Sequence, residues 1–160
     1  MEKLSPKFVV DSMLGRLARW LRLIGYDTLY FKIVSDEELL ERTRSENRFL
    51  LTRDKRLHQQ AIREELHSIL IPVRSNSEVL AFLSKTFNIQ FDIDPSSSRC
   101  PLCNGKITSA EKENIKSKIP TPTFKKYDQF WQCIHCGKIY WMGKHYKSMR
   151  KIIAEIGSSI

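Results

Sequence analysis

Cysteine occurs four times in this chain, and only as two C-x-x-C pairs, Cys100/Cys103 and Cys133/Cys136. No other feature constrains the fold as much. Each such turn presents two thiolates to one ion, and four tetrahedral sulfurs are a preferred coordination of Zn²⁺. A glycine stands just past each pair, in Cys103-Asn104-Gly105 and Cys136-Gly137-Lys138, as a tight knuckle requires. The spacing predicts a closed, structural Zn²⁺ site made by Cys100, Cys103, Cys133 and Cys136, with a redox C-x-x-C pair as the alternative. His135 is expected at the surface, since four thiolates already satisfy the ion. No cysteine remains for a secreted disulfide framework. Met1-Glu2-Lys3 leads into no signal-peptide core, and every apolar run falls far short of the ~20 residues of a bilayer span. The expectation is a cytoplasmic protein.

Upstream of the cysteines the hydrophobic period alternates between that of strands and that of helices. Strands are predicted at Lys7–Asp11, Asp27–Phe31, Arg48–Thr52 and Ser68–Val73, and helices at Ser12–Ile24, Asp36–Ser45, Lys55–Glu65 and Ser77–Phe87. This alternation implies an α/β domain with a mainly parallel sheet of about four strands flanked by helices. In the first helix Leu14, Leu17, Leu21 and Ile24 form one apolar stripe ended by Gly25, and Arg16, Arg19 and Arg22 lie on the other face. The stretch from Asp92 to Ser98, with Pro95 and a serine run, marks the boundary, giving domains 1–94 and 95–160. Pro120 and Pro122 suggest partly irregular structure in the 29 residues between the cysteine pairs, and a short last helix is expected near Tyr146–Ile156.

Three aspartates fall where strands give way to helices: Asp11, Asp36 and Asp54. Singly, each reads as a helix cap, and Ser35-Asp36-Glu37-Glu38 reads as a capping box. Together they say more, because such junctions all open on the carboxyl edge of a parallel sheet, where ligands bind. Three carboxylates meeting there need a cation between them, and oxygen-only ligation suits Mg²⁺ or Mn²⁺. Such a site activates water against a phosphodiester without a side-chain nucleophile. His58 and His67 carry no partner signature, and no Gly-rich phosphate loop or G-x-S-x-G occurs. A response-regulator receiver also places aspartates after its first and third strands, but it has paired acids after the first strand and a lysine after a fifth; Val9-Val10 precedes Asp11 here and no fifth strand follows.

The charge is as uneven as the fold. Residues 1–98 hold 15 Lys+Arg against 14 Asp+Glu, whereas residues 99–160 hold 12 against 4. A surplus of that size favours a polyanionic partner even after a four-thiolate zinc site takes its share. Between Tyr127 and Tyr146 rings alternate with cations, so Lys138, Lys144 and His145 are candidate nucleic-acid contacts, with Trp131 and Tyr140 assigned to the ribbon core.

The run Asp11-Ser12-Met13-Leu14-Gly15-Arg16-Leu17-Ala18-Arg19-Trp20-Leu21-Arg22-Leu23-Ile24-Gly25-Tyr26-Asp27, then Asp36, Leu51-Thr52-Arg53-Asp54 and the two knuckles ending in Tyr140-Trp141-Met142-Gly143-Lys144-His145, resembles the Mut-seven C-terminal RNase family. The similarity spans about residues 7–150. It implies a PIN-like nuclease domain with an appended zinc ribbon, Asp11, Asp36 and Asp54 as catalytic metal ligands, and Arg16, Arg19 and Arg22 as phosphate contacts. PIN nucleases commonly carry a fourth acid near the end of the fourth strand. Here that region reads Val73-Arg74-Ser75-Asn76-Ser77-Glu78, so the fourth role is vacant or falls to Asn76, with Glu37 as a candidate substitute or a solvated first-turn acid, and the number of catalytic metals is left open at one or two. The expected activity is a metal-dependent endoribonuclease leaving a 5′ phosphate, with the ribbon holding RNA. The rival readings are a non-catalytic RNA-binding protein on a PIN-like scaffold and a DNA or flap nuclease.

Overall fold

The computed structural model describes residues 5–160, which pack as two units. The first holds residues 5–22 and 26–89; the second holds residues 90–160 with Leu23–Gly25. Among the described residues no helix is long and apolar enough to cross a membrane.

The first unit alternates strand and helix as its periodicity requires: β1 (Phe8–Val10), α1 (Gly15–Leu23), β2 (Thr28–Tyr30), α2 (Asp36–Ser45), β3 (Phe49–Thr52), α3 (Lys55–Arg63), β4 (Ser68–Leu70) and α4 (Asn76–Phe87). The strands form one parallel sheet in the order β2-β1-β3-β4. They are shorter than expected. In β4 the ladder continues only as far as Ile71, whose N–H donates to the Thr52 carbonyl at 2.8 Å; Pro72 then has no N–H to offer.

Alternation along the strands sorts side chains onto two faces. Val9 and Leu50 bury one face against Leu39 and Leu40 of α2 and Leu57 and Ala61 of α3. Phe8 and Phe49 point the other way, where Phe87 of α4 meets them edge-on at centroid distances of 5.2 and 4.7 Å. Removing a fully buried leucine such as Leu50 from such a core costs about 2–5 kcal/mol.

The first helix does not begin as one piece. Ser12–Leu14 form a 3-10 turn, in which the Leu14 N–H donates to the Asp11 carbonyl at 2.9 Å, and the α-helix proper starts at Gly15. A Cβ on Gly15 would lie 2.8 Å from the Tyr30 hydroxyl, so glycine admits that ring. Tyr30 then donates to the Ser12 carbonyl at 2.9 Å and ties the turn to β2. The apolar stripe Leu14, Leu17, Leu21 and Ile24 is buried, and Gly25 ends the helix at φ 100°.

The second unit contains an antiparallel sheet of β5 (Ile107–Ala110), β6 (Phe130–Cys133) and β7 (Ile139–Trp141) in that order. The segment between the cysteine pairs is more ordered than its prolines suggest. It holds a 3-10 helix at Lys112–Lys118 and α5 (Thr121–Lys126), because Pro122 occupies a first-turn position where its missing N–H is not needed. The last helix, α6 (Lys144–Ser158), is longer than the expected Tyr146–Ile156.

Candidate acidic site and cysteine centre

Parallel pairing puts every strand-to-helix junction of the first unit on the carboxyl edge of the sheet. The chain runs from β1 to β2 on one side and then crosses back to β3 on the other, so the topological switch point lies between β1 and β3. Asp11 follows β1, and Asp54 stands two residues beyond β3. Thr52, the last residue of β3, joins them. Its hydroxyl donates to Asp11 Oδ2 at 2.7 Å and accepts the Asp54 N–H at 2.9 Å. Asp11 Oδ1 accepts the Ser12 N–H at 2.7 Å, so this buried carboxylate is fixed on both sides. Asp54 caps α3 through Oδ1, which accepts from the N–H groups of Arg56 and Leu57 at 2.8 and 3.3 Å. Thr52 was not singled out from the sequence, where a threonine ending a strand reads as an ordinary β-former; the Thr-x-Asp spacing at a strand end was the available signal.

Asp36 is exposed and opens α2, with Ser35 as the cap. The expected capping box is half formed: Ser35 accepts the Glu38 N–H at 3.2 Å, but the Glu38 carboxylate turns to Arg42. The reciprocal box forms instead at α4, between Ser75 and Glu78, with Asn76 as the first helical residue. The Asp36 carboxyl titrates above its ordinary range because of partial burial and then the charges of Asp54, Asp11 and adjacent Glu37. Thus the three aspartates share one electrostatic environment. Among the described residues none of them is in an ion pair, and only the four cysteines stand close enough to ligate one ion as a group.

Arg16 and Arg19 are exposed on α1, but Arg22 is not. It is buried, and its Nε donates to the Thr28 carbonyl at 2.9 Å, so it holds the start of β2 and leaves the set of phosphate contacts. The histidines of this unit have structural partners: His58 Nδ1 lies 2.8 Å from Ser68 Oγ, and His67 stacks on Phe49.

In the second unit the four sulfurs all lie within 4.8 Å of one another, with Cys100 and Cys136 3.7 Å apart and Cys103 and Cys133 3.4 Å apart. Four Zn–S bonds of about 2.3 Å in a tetrahedron put sulfurs about 3.8 Å apart, so the quartet fits Zn²⁺. Two backbone N–H groups, of His135 and Cys136, reach Cys133 Sγ at 3.4 and 3.5 Å. Burial pushes the Cys133 thiol up, but these donors outweigh it and bring it down to about 7; burial pushes Cys103 up to about 12. The knuckles use glycine differently. Gly137 adopts φ 77°, whereas in the first knuckle Asn104 takes the left-handed conformation, at φ 70°. Gly105 is there for space: a Cβ would come within 2.7 Å of Cys133 Sγ.

Trp131 and Tyr140 pack beside the cysteines, and the Tyr140 hydroxyl lies 3.0 Å from Cys100 Sγ. Tyr127 and Trp141 pack around Ile115, Phe130 and Ile139. The rings of the ribbon are thus largely internal, while Lys138, Lys144, His145 and His135 are exposed.

No curated protein and no solved structure matches the chain. A family model does, over residues 6–153, nearly the whole length, and by that match the chain belongs to the Mut7-C RNAse domain family.

Proposed function

We propose that the protein is a metal-dependent endoribonuclease, with a nuclease domain over residues 1–94 and an RNA-holding zinc ribbon over residues 95–160. The observation that carries this reading is the carboxyl edge of the sheet, where Asp11 follows β1, Asp54 follows β3 and the Thr52 hydroxyl bridges them, with Asp11, Asp36 and Asp54 in no ion pair among the described residues. Asp11, Asp36 and Asp54 would hold Mg²⁺ or Mn²⁺, which supplies the positive charge that phosphodiester hydrolysis by water requires. Asp11 is kept in orientation by Ser12 and Thr52. Asp54 spends Oδ1 on its helix cap and keeps Oδ2 for the site. Glu37 adds to the negative field at Asp36. Hydrolysis by water, with the 3′ oxygen as leaving group, yields a 5′ phosphate.

Arg16 and Arg19 on the first unit, and Lys138, Lys144 and His145 on the second, meet phosphates. Lys144 and Lys147 lie in the first turn of α6, where the helix dipole disfavours cations. Their exposed charge adds to the surface offered to a polyanion. Four cysteines grouped for a metal rather than paired in disulfides suit the reducing cytoplasm.

The test is cleavage of matched RNA and DNA with Mn²⁺ or Mg²⁺ by the parent, Asp11→Asn and Asp54→Asn. Asparagine at 54 keeps a capping oxygen and removes the charge, so stability should hold while cleavage falls by a factor of about 10² or more. Metal-dependent RNA cutting lost in both variants sustains the reading. Cleavage of DNA in preference makes the chain a DNA nuclease, and RNA binding without cleavage makes it an RNA-binding scaffold.

A further inference from the structure

The ribbon's rings are occupied, and its charge is concentrated elsewhere than in the Tyr127–Tyr146 segment alone. Residues 112–126, between the two cysteine pairs, carry Lys112, Lys116, Lys118, Lys125 and Lys126 against one acid, Glu113. This segment is not a loose loop. Ile115 is buried with Phe130 and Ile139, and Ile119 and Tyr127 pack against the same cluster, which ties both the 3-10 helix and α5 to the sheet. Phe124 collects two ammonium groups over its ring, Lys112 at 4.7 Å and Lys116 at 5.7 Å from the centroid, and Lys126 lies 5.6 Å over Tyr127. Lys112 is also paired with Asp128 at 3.2 Å. Among the described residues Lys116, Lys118, Lys125 and Lys126 have no carboxylate partner, and all four are exposed.

We propose that residues 112–126 form a rigid basic ledge that holds the sugar-phosphate backbone of single-stranded RNA through Lys116, Lys118, Lys125 and Lys126. The ledge rests on the reading of the chain as an RNA-acting protein, and it adds a second grip to that of Lys138, Lys144 and His145. Two lysines crowd the Phe124 ring, so the contact assigned to this surface is to phosphate, which is indifferent to sequence. A membrane is the poorer partner for the same surface. Ile115 and Ile119 are turned into the core and Phe124 lies beneath the cations, so no apolar side chain is left to enter a bilayer.

The test measures binding apart from cleavage, in the full chain carrying Asp54→Asn and without added divalent ions, by anisotropy of labelled single-stranded oligo(U) and oligo(A) across a salt series. Each phosphate contact contributes about 0.7 to the log-log salt slope of a single strand. K116Q/K118Q/K125Q/K126Q should weaken both oligonucleotides about equally, by at least ~10-fold near 0.1 M salt, and lower the slope by about 2 to 3. K118Q/K125Q/K126Q, which spares the Lys116–Phe124 contact, should retain its zinc and still lose about 2 from the slope, while replacing the four lysines with arginine should preserve binding. The ledge is overturned if the slope is unchanged in the glutamine variants, if only K144Q/K147Q/R150Q on α6 lowers it, or if the parent binds phosphatidylserine vesicles but not oligonucleotides. A parent that binds RNA through these lysines yet never cuts it would sink the nuclease reading and leave the ledge standing.

Discussion

The two ends of the first sheet treat acidic groups in opposite ways. At the amino edge, ahead of β2 and β3, Asp27 and Glu46 are answered by Arg48, a buried guanidinium that meets Asp27 Oδ1 at 2.8 Å and Glu46 Oε2 at 2.7 Å and also donates to the Phe8 carbonyl. Burial pushes the Glu46 carboxyl up, but Arg48 and Arg42 outweigh it and hold it below its ordinary range. At the carboxyl edge the reverse holds. Asp36 is pushed up by burial and by Asp54 and Asp11, and among the described residues no arginine or lysine pairs with any of the three. The same chain therefore builds a closed ion pair where it needs a staple and leaves a negative field open where parallel sheets bind ligands. The cysteine quartet is a third case, four acidic groups gathered in a geometry that an ion can close.

The largest effect should come from that third case. If the quartet holds zinc, Cys133→Ser or a chelator should remove an ion that supplements the small apolar core of the second unit, and apparent binding energies at structural zinc sites run to about 10 kcal/mol or more. Chemical shifts from residues 100–141 should collapse to random-coil values while those of β1 to α4 persist. Unchanged ribbon resonances in zinc-free protein would break the analogy between the quartet and the stapled edge. Next in size is Arg48→Met. Breaking a buried pair from one side leaves carboxylates without a cation and should cost about 3 kcal/mol, read as a fall in the urea midpoint. A loss as small as that from a surface charge would mean that the amino edge is not a staple.

How far these contrasts can be read from sequence depends on how local they are. The four strands, the apolar stripe of α1 and the paired knuckles follow from periods and spacings within a few residues, and all are found. Arg22 was misread because the face of α1 that bears Arg16 and Arg19 looks uniformly solvated by period. Its burial depends on where β2 returns, and Thr28 is a partner that helical periodicity cannot supply. Thr52 escaped for a similar reason: its role needs Asp11, 41 positions away, brought alongside by parallel pairing. The lysines of residues 112–126 enter the charge surplus without a place, because Pro120 and Pro122 suggest irregular structure, whereas Pro120 caps α5 and Pro122 sits in its first turn. Placement by tertiary contact is what single-sequence patterns lack.

Thr52→Val tests whether the carboxyl edge is held ready or merely tolerated. Valine keeps the shape but deprives Asp11 Oδ2 of its donor and the Asp54 N–H of its acceptor. A stability loss of about 1–3 kcal/mol is expected from the unsatisfied groups. If nuclease activity depends on oriented carboxylates, the turnover rate should fall more than stability accounts for, while Thr52→Ser should recover most of it. Equal activity in Thr52→Val at a temperature where both proteins are folded would show that Asp11 needs no positioning.

The smallest effect should have the opposite sign. Because the folded Asp36 carboxyl titrates above its ordinary value of 3.8, the folded state holds that proton more tightly than the unfolded chain does. The stability this contributes is fully present below the unfolded value and is lost as pH rises through the folded one. At neutral pH ionised Asp36 is therefore slightly destabilising, and Asp36→Asn should raise the melting temperature by no more than about 2 °C, since the group is exposed and screened. The helix dipole favours an acid in the first turn of α2 and should reduce this gain, while burial, Asp54 and Asp11 push the carboxyl up. The advantage should close as pH falls toward 3.8. A divalent cation should invert the order. Millimolar Mn²⁺ should stabilise the parent, whose open field attracts it, and the asparagine variant less, by the difference in their affinities for the ion. Melting curves at neutral and acid pH, with and without Mn²⁺, read both signs. An Asp36→Asn variant less stable than the parent at neutral pH without metal would show that the three aspartates are not in conflict, and that the two edges of the sheet differ in composition but not in strain.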